Sequence, residues 1–268
     1  MKIGSYLALD RLSQSQARAL RESQLGRVDR IVSYYYAFTD PMPKHFRSVP
    51  TGSVPMISWR GTTYAEILDG THDDLIAADA EALVAYGKPL FLRFAWEMNG
   101  DWFDWGGPNN PSGPDGYVRA WRHVYDIFAA AGAANVTWVW SVNWNDNPET
   151  ATNKARLYYP GDAYVDWIAV DGFSGAGESP EHLFGSFYRE YAGRKPLMIA
   201  ETAVTHSDEG AWIAGLGRWL KARPEFRGLV WFDTDLDTGS GKQDWRVDAN
   251  PAELAAYRRL VNDPYFTA

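Results

Sequence analysis

The chain has 268 residues, no cysteine and a formal net charge of −8. Without cysteine it can form no disulfide, thiolate metal site or cysteine nucleophile, and its acidic balance argues against nucleic acid or an anionic membrane as a partner. No apolar run approaches the roughly 18 residues that a membrane span needs, so we expect no membrane-spanning segment. No linker interrupts the composition, so one domain over residues 1–268 is predicted.

Eight short apolar runs have the length and the β-branched or aromatic content of buried strands. They are Ile3–Leu9, Arg30–Phe38, Val54–Trp59, Leu90–Trp96, Val136–Val142, Val165–Val170, Pro196–Ala200 and Leu229–Phe232. Most are separated by amphipathic stretches with helix start or stop signals. These are Ser13–Gln24, His72–Tyr86, Pro114–Ala131, Pro180–Tyr191, Ala211–Ala222 and Pro251–Val261. Strands that alternate with helices in this way predict an α/β fold, a single (β/α)8 TIM barrel.

Two segments interrupt the alternation. Thr39–Ser53 contains three prolines and predicts a loop, so the helix between strands two and three is expected to be weak or missing. Pro148–Gly161 is irregular. A doubly wound open sheet is the alternative fold, but no glycine-rich phosphate loop follows the first strand.

Polar and aromatic residues collect where the predicted strands end. Active sites of (β/α)8 barrels lie at the carboxyl ends of the strands, so these residues are candidate substrate contacts. They are Trp59, Asn143, Trp144, Asp171, Phe173 and Trp231, together with the carboxylates Glu97 and Glu201. For Asn143 and Asn145, which bracket Trp144, binding of sugar hydroxyls and a plain turn are equally compatible with the sequence.

Glu97 lies at the end of an apolar run and close to three tryptophans, Trp96, Trp102 and Trp105. Aromatic surroundings hold a carboxyl partly out of water, which raises its pKa and lets it donate a proton near neutral pH. Flat aromatic faces also suit the stacking of sugar rings. We therefore predict glycoside chemistry here, with Asn99 of the same segment among the substrate contacts.

Glu201 supplies a second carboxylate at the end of the seventh predicted strand. Retaining glycosidases have two carboxyl groups about 5–5.5 Å apart and inverting ones about 6.5–9.5 Å, a distance that the sequence leaves open. Strand alternation would put Arg93, Ala95 and Glu97 on one face, with Arg93 beneath the carboxylates to keep one ionised. A structural ion pair is the alternative for Arg93.

The remaining patterns indicate no metal and no cofactor. The histidines lack the spacing of a zinc site. Asp233–Asp237 resembles a calcium loop only loosely, and a solvated loop is expected there. Trp138 and Trp140 alternate on one strand face and are predicted to pack in the core.

The run from Arg93 to Phe103, Arg-x-x-x-Glu-Met-Asn-Gly-x-Trp-Phe, resembles the acid/base motif of glycoside hydrolase family 26. Later stretches are also similar to that family, in the right order: Tyr159–Gly172, Ala200–Thr202, Trp231–Asp233 and Asp244–Arg246. The resemblance implies a retaining barrel with Glu97 as acid/base and Glu201 as nucleophile. It further implies that Arg93 supports the pair and that Trp102 and Trp231 are sugar platforms.

Two positions depart from the family's pattern. Trp96 stands where the family usually has His, and Phe173 where it often has Tyr near the nucleophile. The first departure leaves the choice between β-mannan and mixed-linkage β-1,3-1,4-glucan open, and the family also includes enzymes that act on β-1,3-xylan. The second removes a hydroxyl that a neighbouring group could replace.

The sequence thus predicts a retaining, endo-acting hydrolase of β-linked polysaccharide that acts as a monomer. A non-catalytic sugar-binding barrel would keep the tryptophans and lose the carboxylate pair. A barrel enzyme that abstracts a proton from another substrate would need a metal cluster or a Lys or His base at a strand end. Met1–Asp10 lacks a signal-peptide core, so we expect either a cytoplasmic protein or a secreted one whose signal has been removed.

Overall fold

The computed structural model describes residues 1–46, 48–205, 208–235 and 243–267. Eight strands form a closed barrel in the order of the sequence. The strands are β1 Lys2–Ala8, β2 Ile31–Tyr36, β3 Val54–Trp59, β4 Leu90–Phe94, β5 Val136–Asn143, β6 Trp167–Asp171, β7 Leu197–Thr202 and β8 Phe226–Thr234. The predicted (β/α)8 barrel is confirmed, with shifts of a few residues at the strand ends.

Helices separate most of the strands. They are α1 Gln14–Leu25, α2 Tyr64–Leu68, α3 Asp73–Tyr86, α4 Gly113–Ala130, α5 Pro180–Tyr191, α6 Glu209–Lys221, α7 Pro251–Val261 and α8 Pro264–Thr267. The six predicted helices are confirmed, and the short α2 and α8 are additions. Described residues between β2 and β3 form no helix, as the three prolines predict, and the irregular segment after β5 holds only the 3-10 helix Ala155–Tyr158.

Local capping explains where several helices begin and end. At the start of α1 the Ser13 hydroxyl accepts from the backbone N–H of Gln16, and the Gln16 side chain accepts in return from the Ser13 N–H. This reciprocal pair satisfies two donors that the first helical turn leaves open. The helix ends at Gly26, whose φ of 76° is a left-handed conformation that glycine adopts without steric cost.

The chain packs as two compact units. The first consists of Met1–Ser33, Ser48–Val54 and Val170–Ala268. Within it β1 lies parallel to β8, in register from Lys2 opposite Gly228 to Ala8 opposite Thr234. Strand β7 pairs with the other edge of β8, with a register shift between Ile199 and Thr202.

The second unit consists of Tyr34–Arg47 and Pro55–Ala169. Here β4 lies between β3 and β5, and every residue of β4 is buried. Aromatic rings fill the layer between these strands and α4: the ring of Trp59 lies 5.0 Å from Phe94 and 6.0 Å from Phe128. Burial of such large rings is a major source of stability in a core.

Trp138 and Trp140 on β5 are both buried, as predicted for core residues. None of the helices in the described ranges is long and apolar enough to cross a membrane. The single domain over residues 1–268 stays a prediction.

Candidate active site

Glu97 lies on a sharp turn just beyond β4. The strand ends at Phe94, and both Ala95 (φ 41°) and Glu97 (φ 54°) adopt left-handed backbone conformations. The predicted strand alternation of Arg93, Ala95 and Glu97 is therefore wrong past Phe94. Left-handed conformations are uncommon and strained for residues other than glycine, and they persist where the surroundings enforce them.

Both neighbouring strands enforce this turn. The N–H of Ala95 donates to the Trp59 carbonyl of β3 at 2.9 Å, and the N–H of Glu97 donates to the Ser141 carbonyl of β5 at 2.9 Å. The Tyr117 hydroxyl of α4 also donates to the Ala95 carbonyl. The carboxyl of Glu97 is thus presented from a backbone that has little freedom to move.

Trp102 links an exposed aromatic face to the Glu97 carboxyl. Its indole Nε1–H donates to Glu97 Oε2 at 2.8 Å, while the residue keeps 44% of its surface exposed and Glu97 only 9%. Gly100 makes this geometry possible, because a Cβ there would lie 2.3 Å from the Trp102 ring. The arrangement suits a sugar platform beside an acid, the role that the sequence predicts for Trp102.

Arg93 is fully buried beneath the turn, a position that suits the predicted supporting role and leaves no surface for a contact with substrate. Its guanidinium donates to the Ser58 hydroxyl from Nε at 3.0 Å and from Nη2 at 2.8 Å. Nη2 lies 3.4 Å from the Tyr35 hydroxyl, and the Trp96 ring covers the guanidinium at 4.9 Å. Cation–π contact of this kind holds a charge in an aromatic setting.

Three predicted sugar contacts are tryptophans that the structure buries instead. Trp96 is 5% exposed, Trp105 2% and Trp59 0%. The Trp105 indole donates to the Trp96 carbonyl at 2.7 Å and its ring stacks on Phe103, whereas the Trp59 ring faces α4. These tryptophans shape the turn around Glu97 and cannot stack on a sugar as they stand.

Asn99 is also fully buried, which corrects its predicted contact with substrate. Its Oδ1 accepts from the Asn143 N–H at 2.9 Å, and its Nδ2 lies within hydrogen-bonding distance of Asn143 O, Asn145 O and Asp146 Oδ1. The side chain therefore ties the segment after β4 to the segment after β5. Sequence reasoning missed this because amide side chains serve ligands and turns alike.

The turn after β5 leaves Asn143 and Trp144 half-buried. The Asn143 side chain donates to Asn145, to its carbonyl at 2.9 Å and its Oδ1 at 2.7 Å. Of the two interpretations that the sequence left open, these contacts favour a turn for the Asn143 side chain. Trp144 keeps exposed surface and stays a predicted substrate contact.

The second carboxylate, Glu201, lies near the end of β7 in the first unit and is 7% exposed. Its carbonyl accepts from the Gly172 N–H just after β6 at 3.0 Å. Asp171 in the same stretch is fully buried, so its predicted contact with sugar is corrected. Phe173 is half-buried and packs against Phe232 at 5.4 Å and Trp245 at 5.1 Å.

Trp231 is not a sugar platform. It is fully buried, with its ring 6.3 Å from Trp212 of α6 and 4.9 Å from Tyr257 of α7, so it faces the helices. Its neighbour Phe232 points the other way and is half-buried. Strand alternation was the signal that separates the two, but the short predicted run could not show which of them faced inward.

Tyr6 of β1 is a neighbour of the predicted site that the sequence analysis did not single out. Its ring stacks on Phe232 at 5.2 Å with an interplanar angle of 25°. Burial, and then the negative charge of Glu201, raise the pKa of its phenol. Tyr6 therefore belongs to the surroundings of Glu201.

Asp233 corrects the prediction of a solvated loop at the end of β8. It is 2% exposed and accepts from Arg21 at Oδ2 (2.6 Å) and at Oδ1 (2.8 Å), and Arg21 also pairs with Asp248. Asp237, the other end of that predicted loop, lies outside the described residues. Across the described ranges no group of three or more His, Asp or Glu side chains could hold a metal ion.

Comparison with known proteins places the chain in a family. The family model for glycosyl hydrolase family 26 matches residues 56–210, more than half of the chain. Endoglucanase H of Acetivibrio thermocellus is 31% identical over 97% of this chain and 30% of its own length. Mannan endo-1,4-beta-mannosidase A and B of Caldalkalibacillus mannanilyticus is 29% identical over 57% of this chain and 28% of its own length.

The chain thus spans about three tenths of these two relatives. Among solved structures, a GH26 β-mannanase from Bacteroides ovatus superposes with a TM-score of 0.73 at 15% identity, covering 98% of this chain and 89% of that one. At that sequence identity the similarity shows only that the two proteins share a fold. The matched family model shows that the chain belongs to glycosyl hydrolase family 26.

Proposed function

We propose that the chain is a retaining endo-β-glycanase with Glu97 as acid/base and Glu201 as nucleophile. The observation that carries the proposal is the Glu97 carboxyl, fixed by a left-handed turn and joined to the exposed Trp102 by a 2.8 Å hydrogen bond. A proton donor at a glycosidic bond needs a fixed position beside the leaving oxygen. An aromatic face next to it supplies a surface on which a sugar ring can stack.

The reaction would follow a double displacement. The Glu201 carboxylate attacks the anomeric carbon while Glu97 protonates the departing glycosidic oxygen, and a covalent glycosyl-enzyme forms. Glu97, now ionised, then takes a proton from the incoming water, which displaces Glu201 and restores both groups. Each glutamate stands at or just beyond the carboxyl end of its strand, β7 or β4, where barrel enzymes carry their chemistry.

The proposed substrate is a β-glucan with mixed 1,3 and 1,4 linkages. The relative that aligns over 97% of this chain is named an endoglucanase, whereas the first of those named mannosidases aligns over 57%. Several relatives carry the mannosidase name, so β-1,4-mannan is the second candidate. β-1,3-Xylan is a third, because a relative named a β-1,3-xylanase aligns over 51% of the chain.

Hydrolysis of a polysaccharide panel tests this proposal. We expect mid-chain cleavage of mixed-linkage β-glucan, with β-1,4-mannan, β-1,3-xylan and cellulose cleaved far more slowly. Proton NMR during the first minutes should show the β-anomer as the first product, as retention requires. The Glu201→Gln variant is the control for contaminating activity.

Three other outcomes would change the proposal. A preference for mannan would replace the first substrate by the second, and an α-anomer as first product would contradict retention. If bound but uncleaved polysaccharide were the only result, the non-catalytic sugar-binding barrel would be correct and the proposed function wrong.

A further inference from the structure

We infer that Tyr6 is a positioning residue for Glu201. The phenol hydroxyl of Tyr6 takes the place of the tyrosine hydroxyl that is missing at Phe173. The inference rests on the proposed role of Glu201 as nucleophile. The residues that support it all belong to the first unit, in which Tyr6, Glu201 and Phe232 lie on β1, β7 and β8.

Strand register puts Tyr6 and Phe232 side by side on the inner face of the barrel wall. Tyr6 pairs with Phe232 in the parallel ladder between β1 and β8. Trp231 packs on α6 and α7, so the next residue, Phe232, points to the opposite face, toward the barrel interior. The stacking of Tyr6 on Phe232 shows that Tyr6 shares this inner face.

Glu201 faces the same way from β7. Thr202 pairs with Trp231 across β7 and β8, so Thr202 lies on the helix-facing side. One strand residue earlier, Glu201 then lies on the inner side. The register shift between Ile199 and Thr202 marks an irregularity at this point, a feature that often re-aims a side chain next to an active site.

Phe173, just after β6, lies against Phe232 of this group, and its side chain has no polar atom. Its ring meets Phe232 edge-on, with an interplanar angle of 83°, and also contacts Trp245. The rings of Phe173 and Phe232 carry no polar atom, whereas Tyr6 brings a hydroxyl and Trp245 an indole N–H to the same cluster. That a negative charge on Glu201 raises the pKa of Tyr6 agrees with this proximity.

A phenol hydroxyl that donates to a carboxylate orients its oxygens and holds it against rotation. A nucleophile held in line with the anomeric carbon reacts faster than one that samples several orientations. The effect would fall on the first chemical step, the formation of the glycosyl-enzyme, and would leave substrate binding largely unchanged.

The Tyr6→Phe variant tests this, because it keeps the ring stacked on Phe232 and removes only the hydroxyl. We expect kcat/KM to fall about 10- to 100-fold, the value of one hydrogen bond to a charged group, with KM nearly unchanged. The fall should be similar for the polysaccharide and for an aryl glycoside with a 2,4-dinitrophenyl leaving group. Such a leaving group needs no acid, so a similar loss on both substrates identifies the nucleophile side.

Tyr257→Phe is the matched control, since it removes a buried phenol hydroxyl of the same unit that has no hydrogen-bond partner among the described residues. Its kcat/KM should equal that of the parent, and the melting temperatures of both variants report on folding. Parent-like kcat/KM for Tyr6→Phe, with Glu201→Ala inactive, would overturn the role of Tyr6 and leave the proposed function standing. Activity retained in Glu201→Ala would overturn both.

A loss in Tyr6→Phe confined to the polysaccharide would also overturn the inference. It would show that the hydroxyl acts through the acid/base group and not through Glu201.

Discussion

In the function that we propose, the hydrogen bond between Trp102 and Glu97 joins substrate recognition to proton transfer in a single side chain. The indole presents one face to solvent and its N–H to the carboxyl oxygen. Gly100 is required beneath the ring because any side chain would collide with it. The Asn-Gly step in the motif is therefore explained by packing: the glycine admits the ring, and Asn99 ties the segment to β5.

Trp102→Phe separates the two roles of this residue. The phenyl ring keeps an aromatic face but cannot donate to Glu97, so we expect kcat/KM on polysaccharide to fall at least about tenfold. Activity on a 2,4-dinitrophenyl glycoside should change little, since that leaving group departs without acid assistance. Steady-state kinetics on the two substrates measure the difference.

Trp102→Ala serves as the comparison, because it removes the face as well and should raise KM on both substrates. An equal loss on both substrates in Trp102→Phe would contradict a role of the indole N–H in acid catalysis.

At the scale of elements, hydrophobic periodicity was sufficient to predict the barrel. All eight strands came from runs of apolar residues, and six of the helices came from amphipathic stretches with caps such as Ser13 and Asn250. The four-residue α8 was missed, since a single turn carries too few residues for a periodic pattern. The exposure of individual tryptophans was the least predictable feature.

The reason is that tryptophan serves the core and the site alike. Trp59 ends a predicted strand and Trp231 lies one residue before the end of another, just as site residues would, yet both turn outward to the helices. A strand has two faces, and a run buried on both gives no alternation by which to tell them apart. The left-handed turn at Ala95 and Glu97 was also beyond prediction, because it depends on hydrogen bonds that these residues donate to carbonyls of β3 and β5.

A buried acid, Glu253, lies where α7 packs against α6, and its titration makes the free energy of unfolding depend on pH. Glu253, in the first turn of α7, is 1% exposed, and burial followed by the charge of Glu209 on α6 raises its pKa to about 9. Asp233 and Asp244 add to the shift. The folded protein therefore holds a proton on Glu253 that the unfolded chain, with an ordinary pKa of 4.5, has released at neutral pH.

Glu253→Gln tests this. Between pH 4.5 and about 9 the unfolded state ionises Glu253 and the folded state does not, so the free energy of unfolding falls as pH rises. Glutamine carries no such proton, so the variant should melt higher than the parent at pH 9, by at least about 2–4 °C. The difference should shrink toward pH 5.

Melting curves of the parent and the variant at pH 5 and pH 9 measure this difference. Glu190→Gln, an exposed glutamate on α5, is the matched control and should shift the melting temperature equally at both. A Glu253→Gln variant whose advantage does not grow with pH would contradict a buried, protonated Glu253.

At the scale of the whole molecule, the closed order of eight parallel strands gives each strand end a defined place on the barrel. Since (β/α)8 enzymes gather their chemistry at the carboxyl ends of the strands, residues far apart in sequence can serve one reaction. Glu97, just beyond β4, and Glu201, on β7, are the two carboxyls of the proposed mechanism. The separate roles that we propose for them are open to direct measurement.

Azide rescue measures those roles most directly. The substrate is the 2,4-dinitrophenyl β-glycoside of the shortest oligosaccharide that the panel releases, offered to Glu97→Ala and Glu201→Ala. In Glu97→Ala the nucleophile remains, so azide should intercept the glycosyl-enzyme and give the β-glycosyl azide. In Glu201→Ala azide should occupy the place of the missing carboxylate and give the α-glycosyl azide. The same anomer from both variants, or parent-like activity without azide in Glu201→Ala, would contradict the account.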